Sequence, residues 1–186
     1  KEDIVPLSVA DMEFLNPPEI KEGLKKYIDE MILGYTGPTD SFYEAVIKWM
    51  KERHDFEIKK EWIVHTPGVV SAFFNAVKKF TKEGEGILIM SPVYYPFYLS
   101  AERNNRRIVN CPLIENDGYY TMDFDLLEKE AKKEDNKLLL FCSPHNPVGR
   151  VWTKEELERL SEIIIDNDLV VVSDEIHGDL IMPGYK

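Results

Sequence analysis

At 186 residues, 44% hydrophobic and 31% charged, the chain has the composition of a globular protein long enough for one domain with a core. A formal net charge of −11 argues against a nucleic-acid surface, which needs clustered Lys and Arg. No apolar run reaches membrane-spanning length and no signal peptide is visible, so no membrane partner is expected; Cys111 and Cys142 form no CxxC pair and read as buried, reduced thiols of a cytoplasmic protein.

Residues 17–33 predict an amphipathic helix, with Asn16 as N-cap, Pro17 at the first helical position, and Ile20, Leu24, Tyr27, Ile28 and Met31 on one face. "GYTGPTD" breaks that pattern, and a second helix follows from about Ser41 to His54. From there strand and helix alternate. "WIVHT" (62–66) reads as a short strand, and "GVVSAFFNAVKKFTKEG" as a helix closed by Gly84. "GILIMS" (86–91) reads as a buried strand, "YYPFYLSAERNN" as helical after its proline, and "RIVNCP" (107–112) as another strand. "DFDLLEKEAKKED" is a charged helix, "KLLLFCS" (137–143) a strand, and "TKEELERLSEIIIDND" a helix opened by a Thr153–Glu156 capping box. "LVVVSDE" (169–175) is the last strand. Apolar runs without alternation, separated by helices, imply an α/β fold: a mostly parallel sheet covered by helices on both faces.

In such a sheet, ligands bind beyond the carboxyl ends of the strands. Three predicted strands end in polar or turn-forming sequences: "HTPGVV", "CSPHNPVG" and "SDEIHG". A right-handed crossover makes the last two strands parallel, so Asn146 and Asp174 emerge at one edge. An asparagine between prolines is, by itself, ordinary turn chemistry. Paired with Asp174 and the "TPGVV" turn, it points to a ligand held by a rigid amide. The backbone N–H groups of Gly68, Val69 and Val70 open a helix and suit a phosphate. Asp174 can pair with a protonated ring nitrogen, and Tyr94 can stack on a planar ring. The sequence holds no GxGxxG, Walker or GxSxG motif, and its four histidines, His145 and His177 among them, show no zinc-type spacing.

The ordered set "VADMEF", "GYTGP", "TPGVVSAF", "SPVYYPF", "SPHNPVGRVW" and "SDEIHGDL" resembles pyridoxal-phosphate (PLP) enzymes of fold type I, the fold of aspartate aminotransferase. Within these the chain is most similar to the MalY/PatB-type cystathionine β-lyases (C–S lyases), relatives of the class I/II aminotransferases. The resemblance implies that Val69 and Val70 bind the cofactor's phosphate and that Tyr94 stacks on its ring. It implies that Asn146 holds the ring's phenolic oxygen, that Asp174 pairs with the ring nitrogen, and that His177 lies near the phenolic oxygen. Tyr35 would reach the phosphate in a neighbouring subunit, since the family's sites lie at a homodimer interface. Asp11 would line the substrate entrance.

The resemblance further implies α,β-elimination on a small sulfur-containing amino acid, giving thiol, pyruvate and ammonia. An aminotransferase is the alternative in the same cofactor class, and a non-catalytic binding derivative of the fold the alternative outside it. Residues 1–38 would belong to the small domain and dimer arm, and residues 39–186 to a partial PLP-binding large domain. The lysine that holds the cofactor covalently is expected about thirty residues after Asp174, beyond Lys186, so no catalytic lysine is assigned here. The chain is therefore expected to be a piece of a longer protein. Alone it is expected to be inactive and poorly stable, with "WIVHT" lacking a sheet neighbour.

Overall fold

A computed structural model describes residue 10 and residues 14–185, so Asp11 lies outside the described residues. The chain divides into two units, residues 1–60 and 61–186.

The first unit carries two helices, α1 (Pro18–Glu30) and α2 (Asp40–His54). The expected Asn16 cap does not form. Pro17 takes the cap position with ψ 143 and no side-chain cap bond. The physical reason is Pro18, whose ring excludes the helical region for the residue before it. The helix also stops short of residue 33, because Met31 is already extended. α2 begins one residue earlier than expected, with Thr39 Oγ1 accepting the N–H of Phe42 at 3.3 Å. Asp55 ends it in the left-handed region, φ 49. Neither helix buries a residue; Ile20, Leu24, Tyr27 and Ile28 of α1, and Met31 just past its end, are all exposed.

The second unit is built on a parallel sheet. Its strands are β1 (Gly86–Ile89), β2 (Arg107–Asn110), β5 (Asn136–Cys142) and β6 (Val170–Asp174), in the order β2–β1–β5–β6. Side chains alternate across a strand, so each apolar run feeds two cores. Ile87, Ile89, Leu138, Leu140 and Cys142 pack on one face with Phe73 and Val77 of α3 (Val69–Phe80) and Phe97 and Ala101 of α4 (Pro96–Glu102). Leu88, Met90, Leu139 and Phe141 pack on the other, with Leu127 of α5 (Phe124–Ala131) and Leu160 and Ile163 of α6 (Lys154–Asp166). The Thr153–Glu156 capping box is present at the start of α6.

Two expectations fail in this unit, and one element was not expected at all. Residues 62–66 form no strand: Trp62 closes a 3-10 turn and Val64 is 82% exposed. Strand propensity needs a hydrogen-bonded neighbour to become a strand, and no described strand pairs here. α3 ends at Phe80 rather than running to Gly84, because Thr81 turns extended and its Oγ1 donates back to Val77 O at 2.6 Å. The Arg106 guanidinium then takes the carbonyls of Lys78 and Thr81. Gly84 serves instead in the turn before β1, at φ 83. Finally, a hairpin that sequence reading missed joins β3 (Ile114–Asn116) to β4 (Tyr119–Thr121). Its turn is Asp117–Gly118, both at positive φ, as a two-residue hairpin requires.

Candidate active site

The site residues gather at one rim because of how the chain enters and leaves the sheet. α3 runs into the start of β1 through a short turn at 81–85, so it lies antiparallel to that strand. Its 12 residues rise roughly 18 Å, about the length of the strands it covers. Its N-terminus therefore sits at the carboxyl ends of the strands. The loops after β1, β5 and β6 emerge at the same rim.

α3 opens at Gly68, φ 89, where an added Cβ would meet nothing within 4 Å but the backbone favours glycine. Gly68 N–H is not available to a ligand: it donates to Thr66 O at 2.8 Å, inside its own turn. This corrects the expectation that Gly68 joins the anion site. The first intrahelical bond, Ala72 N–H to Gly68 O, forms at 3.3 Å, which leaves the N–H groups of Val69, Val70 and Ser71 ahead of it. Ser71 is the member sequence reading missed; its position in the first turn was the available signal. These donors, at the positive end of a helix dipole, suit an anion.

Asp174 ends β6 in register with Cys142 at the end of β5. It shares the parity of Val170 and Val172, which pack on the α3 face, so its carboxylate faces that side. Only 7% of the residue is exposed. Oδ1 accepts the N–H of Ile176 at 3.2 Å, and no ion pair reaches the carboxylate among the described residues. Burial pushes its pKa up and Glu175 adds to that, while the Ile176 N–H and the charge of His177 act in the opposite direction. A buried carboxylate without a cation is costly, and a cationic ligand atom relieves that cost.

Asn146 follows β5 in a loop with cis peptides at Ser143–Pro144 and Asn146–Pro147. Its N–H donates to Cys142 Sγ at 3.4 Å, while its half-buried side-chain amide makes no hydrogen bond to the described residues. Tyr94 follows β1, half-buried against the α3-side core, with its ring edge-on to Phe97 at 6.5 Å. His177, just past β6, is half-buried and lines a cleft of about 930 Å³ that Asn146, Pro144 and Val148 also line. The rim thus brings Val69, Val70, Tyr94, Asn146, Asp174 and His177 to the same end of the sheet. Tyr35 belongs to the first unit, where its side chain is exposed.

The aminotransferase class I and II family model matches residues 2–185. The chain belongs to that family. Among curated relatives, cystathionine beta-lyase PatB of Bacillus subtilis is 44% identical over 184 residues, covering 99% of this chain and 48% of that protein. Protein MalY of Escherichia coli is 32% identical over 180 residues, covering 96% of this chain and 46% of that protein. Cystalysin from Treponema denticola, whose crystal structure contains pyridoxal 5'-phosphate, superposes with a TM-score of 0.97 at 59% identity, over 100% of this chain and 47% of that one. The fold of this family member is therefore that of the PLP-dependent enzymes. The chain spans about half the length of the relatives it matches.

Proposed function

We propose that the whole protein is a PLP-dependent C–S β-lyase of the cystathionine β-lyase type, acting on a small sulfur-containing amino acid. The observation that carries this reading is Asp174: a buried carboxylate with no ion pair among the described residues, at the rim where α3 presents its unbonded N–H groups. The residues present fit the cofactor. The N–H groups of Val69 and Val70, with Ser71, would hold its phosphate, and Asp174 its protonated ring nitrogen. The amide of Asn146 would donate to the ring oxygen, His177 would stand beside it, and Tyr94 would cover a ring face.

When bound, PLP supplies an electron sink that stabilises negative charge at a substrate's Cα. Asp174 maintains that capacity by keeping the proton on the ring nitrogen. Asn146 and Tyr94 fix the ring plane, and the donors at the start of α3 anchor the far end. Likeness to cystathionine β-lyases favours loss of a thiol from Cβ; the family's name keeps amino transfer as the second reading. We further assign residues 1–38 to a small domain and dimer arm and residues 39–186 to part of the large domain. Tyr35 would serve a partner subunit's phosphate in a cytoplasmic homodimer.

The test is to give the full-length protein PLP and cystathionine and to follow pyruvate with no keto acid present. Pyruvate release supports the lyase. Glutamate formation that requires 2-oxoglutarate, without pyruvate, would identify an aminotransferase. Failure to bind PLP would remove both readings.

A further inference from the structure

His145 stands next to Asn146, yet its side chain turns inward. It is 1% exposed, while Pro144 and Asn146 on either side are half-buried. Its Nε2 lies 2.9 Å from the carbonyl oxygen of Pro92, in the loop after β1. A carbonyl only accepts, so Nε2 carries the proton and donates. Nδ1 is buried with no hydrogen-bond partner among the described residues, which a neutral ring protonated on Nε2 tolerates best. Burial also pulls the imidazole's pKa down and so favours that neutral form.

The ring is held from behind as well. It stands edge-on to Trp152 at 5.4 Å, and Trp152 Nε1 donates to Cys142 O at 3.0 Å. The His145 backbone is closed on itself: its N–H donates to Arg150 O at 2.8 Å, and its carbonyl accepts Gly149 N–H at 2.7 Å. A side chain fixed this firmly reaches a loop 53 residues earlier in the chain. Its acceptor, Pro92, is two residues before Tyr94, and His145 itself is one residue before Asn146.

We propose that His145 is a positioning residue that latches the Tyr94 loop to the Asn146 loop and so sets the spacing between the ring-stacking phenol and the ring-oxygen amide. The role in cofactor binding rests on the assignment of Tyr94 and Asn146 above; the latch itself does not. Nothing in it requires His145 to touch cofactor or substrate.

The test uses the full-length protein with His145→Leu, which removes the donor, and His145→Gln, whose amide N–H can reach toward Pro92. Two quantities are read: backbone hydrogen exchange of the cofactor-free protein at 93–95 and 145–149, and the Kd for PLP. H145L is expected to speed exchange in both segments together and to weaken PLP about tenfold, as the loss of one buried hydrogen bond implies. H145Q is expected to restore both readings. Faster exchange in the 145–149 loop alone, or in neither loop, overturns the latch. Faster exchange in both with an unchanged Kd overturns the positioning role, and equal damage from Gln and Leu overturns the role of the donor. If H145L does not fold, H145Q is compared with His145→Asn, whose amide is too short to reach. A wild-type protein that binds no PLP would overturn the proposed function, while the exchange data still decide the latch.

Discussion

Asp174 and Cys142 close neighbouring parallel strands in register, and the N–H of Ser143 donates to the carbonyl of Asp174 at 3.0 Å. That pairing carries the sheet one bond past Cys142 and brings the Asn146 loop and the Asp174 carboxylate out at one rim. The acid is then buried with no ion pair among the described residues, an arrangement that weakens the fold unless a ligand supplies a partner charge.

The pH consequence can be measured. Burial raises the folded-state pKa of Asp174 above its ordinary 3.8. A group shifted in that direction favours the fold fully below 3.8, and this advantage is lost as pH rises through the folded value. Cofactor-free Asp174→Asn should therefore melt at or above the wild-type temperature near neutral pH, with the gap closing in acid. With PLP bound the order should reverse, and turnover should fall about a hundredfold or more. Melting curves across pH, with and without PLP, check both halves.

Gly68→Ala tests the start of α3. Space for the methyl group is open, so the cost comes from holding an L-residue at φ 89. A loss of about 1–2 kcal/mol is expected, with weaker PLP binding because the N–H groups of Val69 and Val70 shift. Denaturant titration gives the first number and PLP titration the second.

Gly86→Ala tests the opposite end of the sheet. A Cβ there would stand 1.9 Å from Asn136 Oδ1 and 2.9 Å from Val109 Cγ2, and Asn136 is itself tied to Glu130 O at 2.9 Å. Stability should drop by about 2–3 kcal/mol. Because the position lies at the amino ends of the strands, the PLP affinity of the folded fraction should stay unchanged.

Glu156→Ala removes two interactions at once: the reciprocal half of the capping box and the 2.6 Å partner of the buried Arg150. Arg150 would keep the Tyr120 carbonyl and its stacking on Tyr119 and Trp152, but its charge would be uncompensated. The expected loss is about 3 kcal/mol, and a matching change of Arg150 to Met should recover part of it. A double-mutant cycle on melting free energy reads the coupling.

Much of this architecture is legible in the sequence because its two central strands, β1 and β5, are buried on both faces. The runs at 86–89 and 136–142 need no alternation, and Thr153 with Glu156 marks the start of α6 in plain residues. What escapes is decided by partners or by backbone angles. Residues 62–66 have strand composition without a neighbour to pair with. The Asp117–Gly118 hairpin had a readable signal, but its strands are only three residues each. Gly68 is recognisable as a turn residue, yet that its N–H is taken by Thr66 follows only from the geometry of the turn. His145 is, in sequence, one of four histidines without zinc-type spacing; its contact with Pro92 spans 53 positions, beyond any local pattern.

What the rim holds is measured most directly by a crystal structure of the full-length protein grown with PLP. The predicted result is density for the cofactor with its ring nitrogen hydrogen-bonded to the Asp174 carboxylate, its ring oxygen to Asn146, and its phosphate on the N–H groups of residues 69–71. A cofactor bound elsewhere, or a rim in which Asp174 pairs with a lysine or arginine of the protein instead, would contradict it.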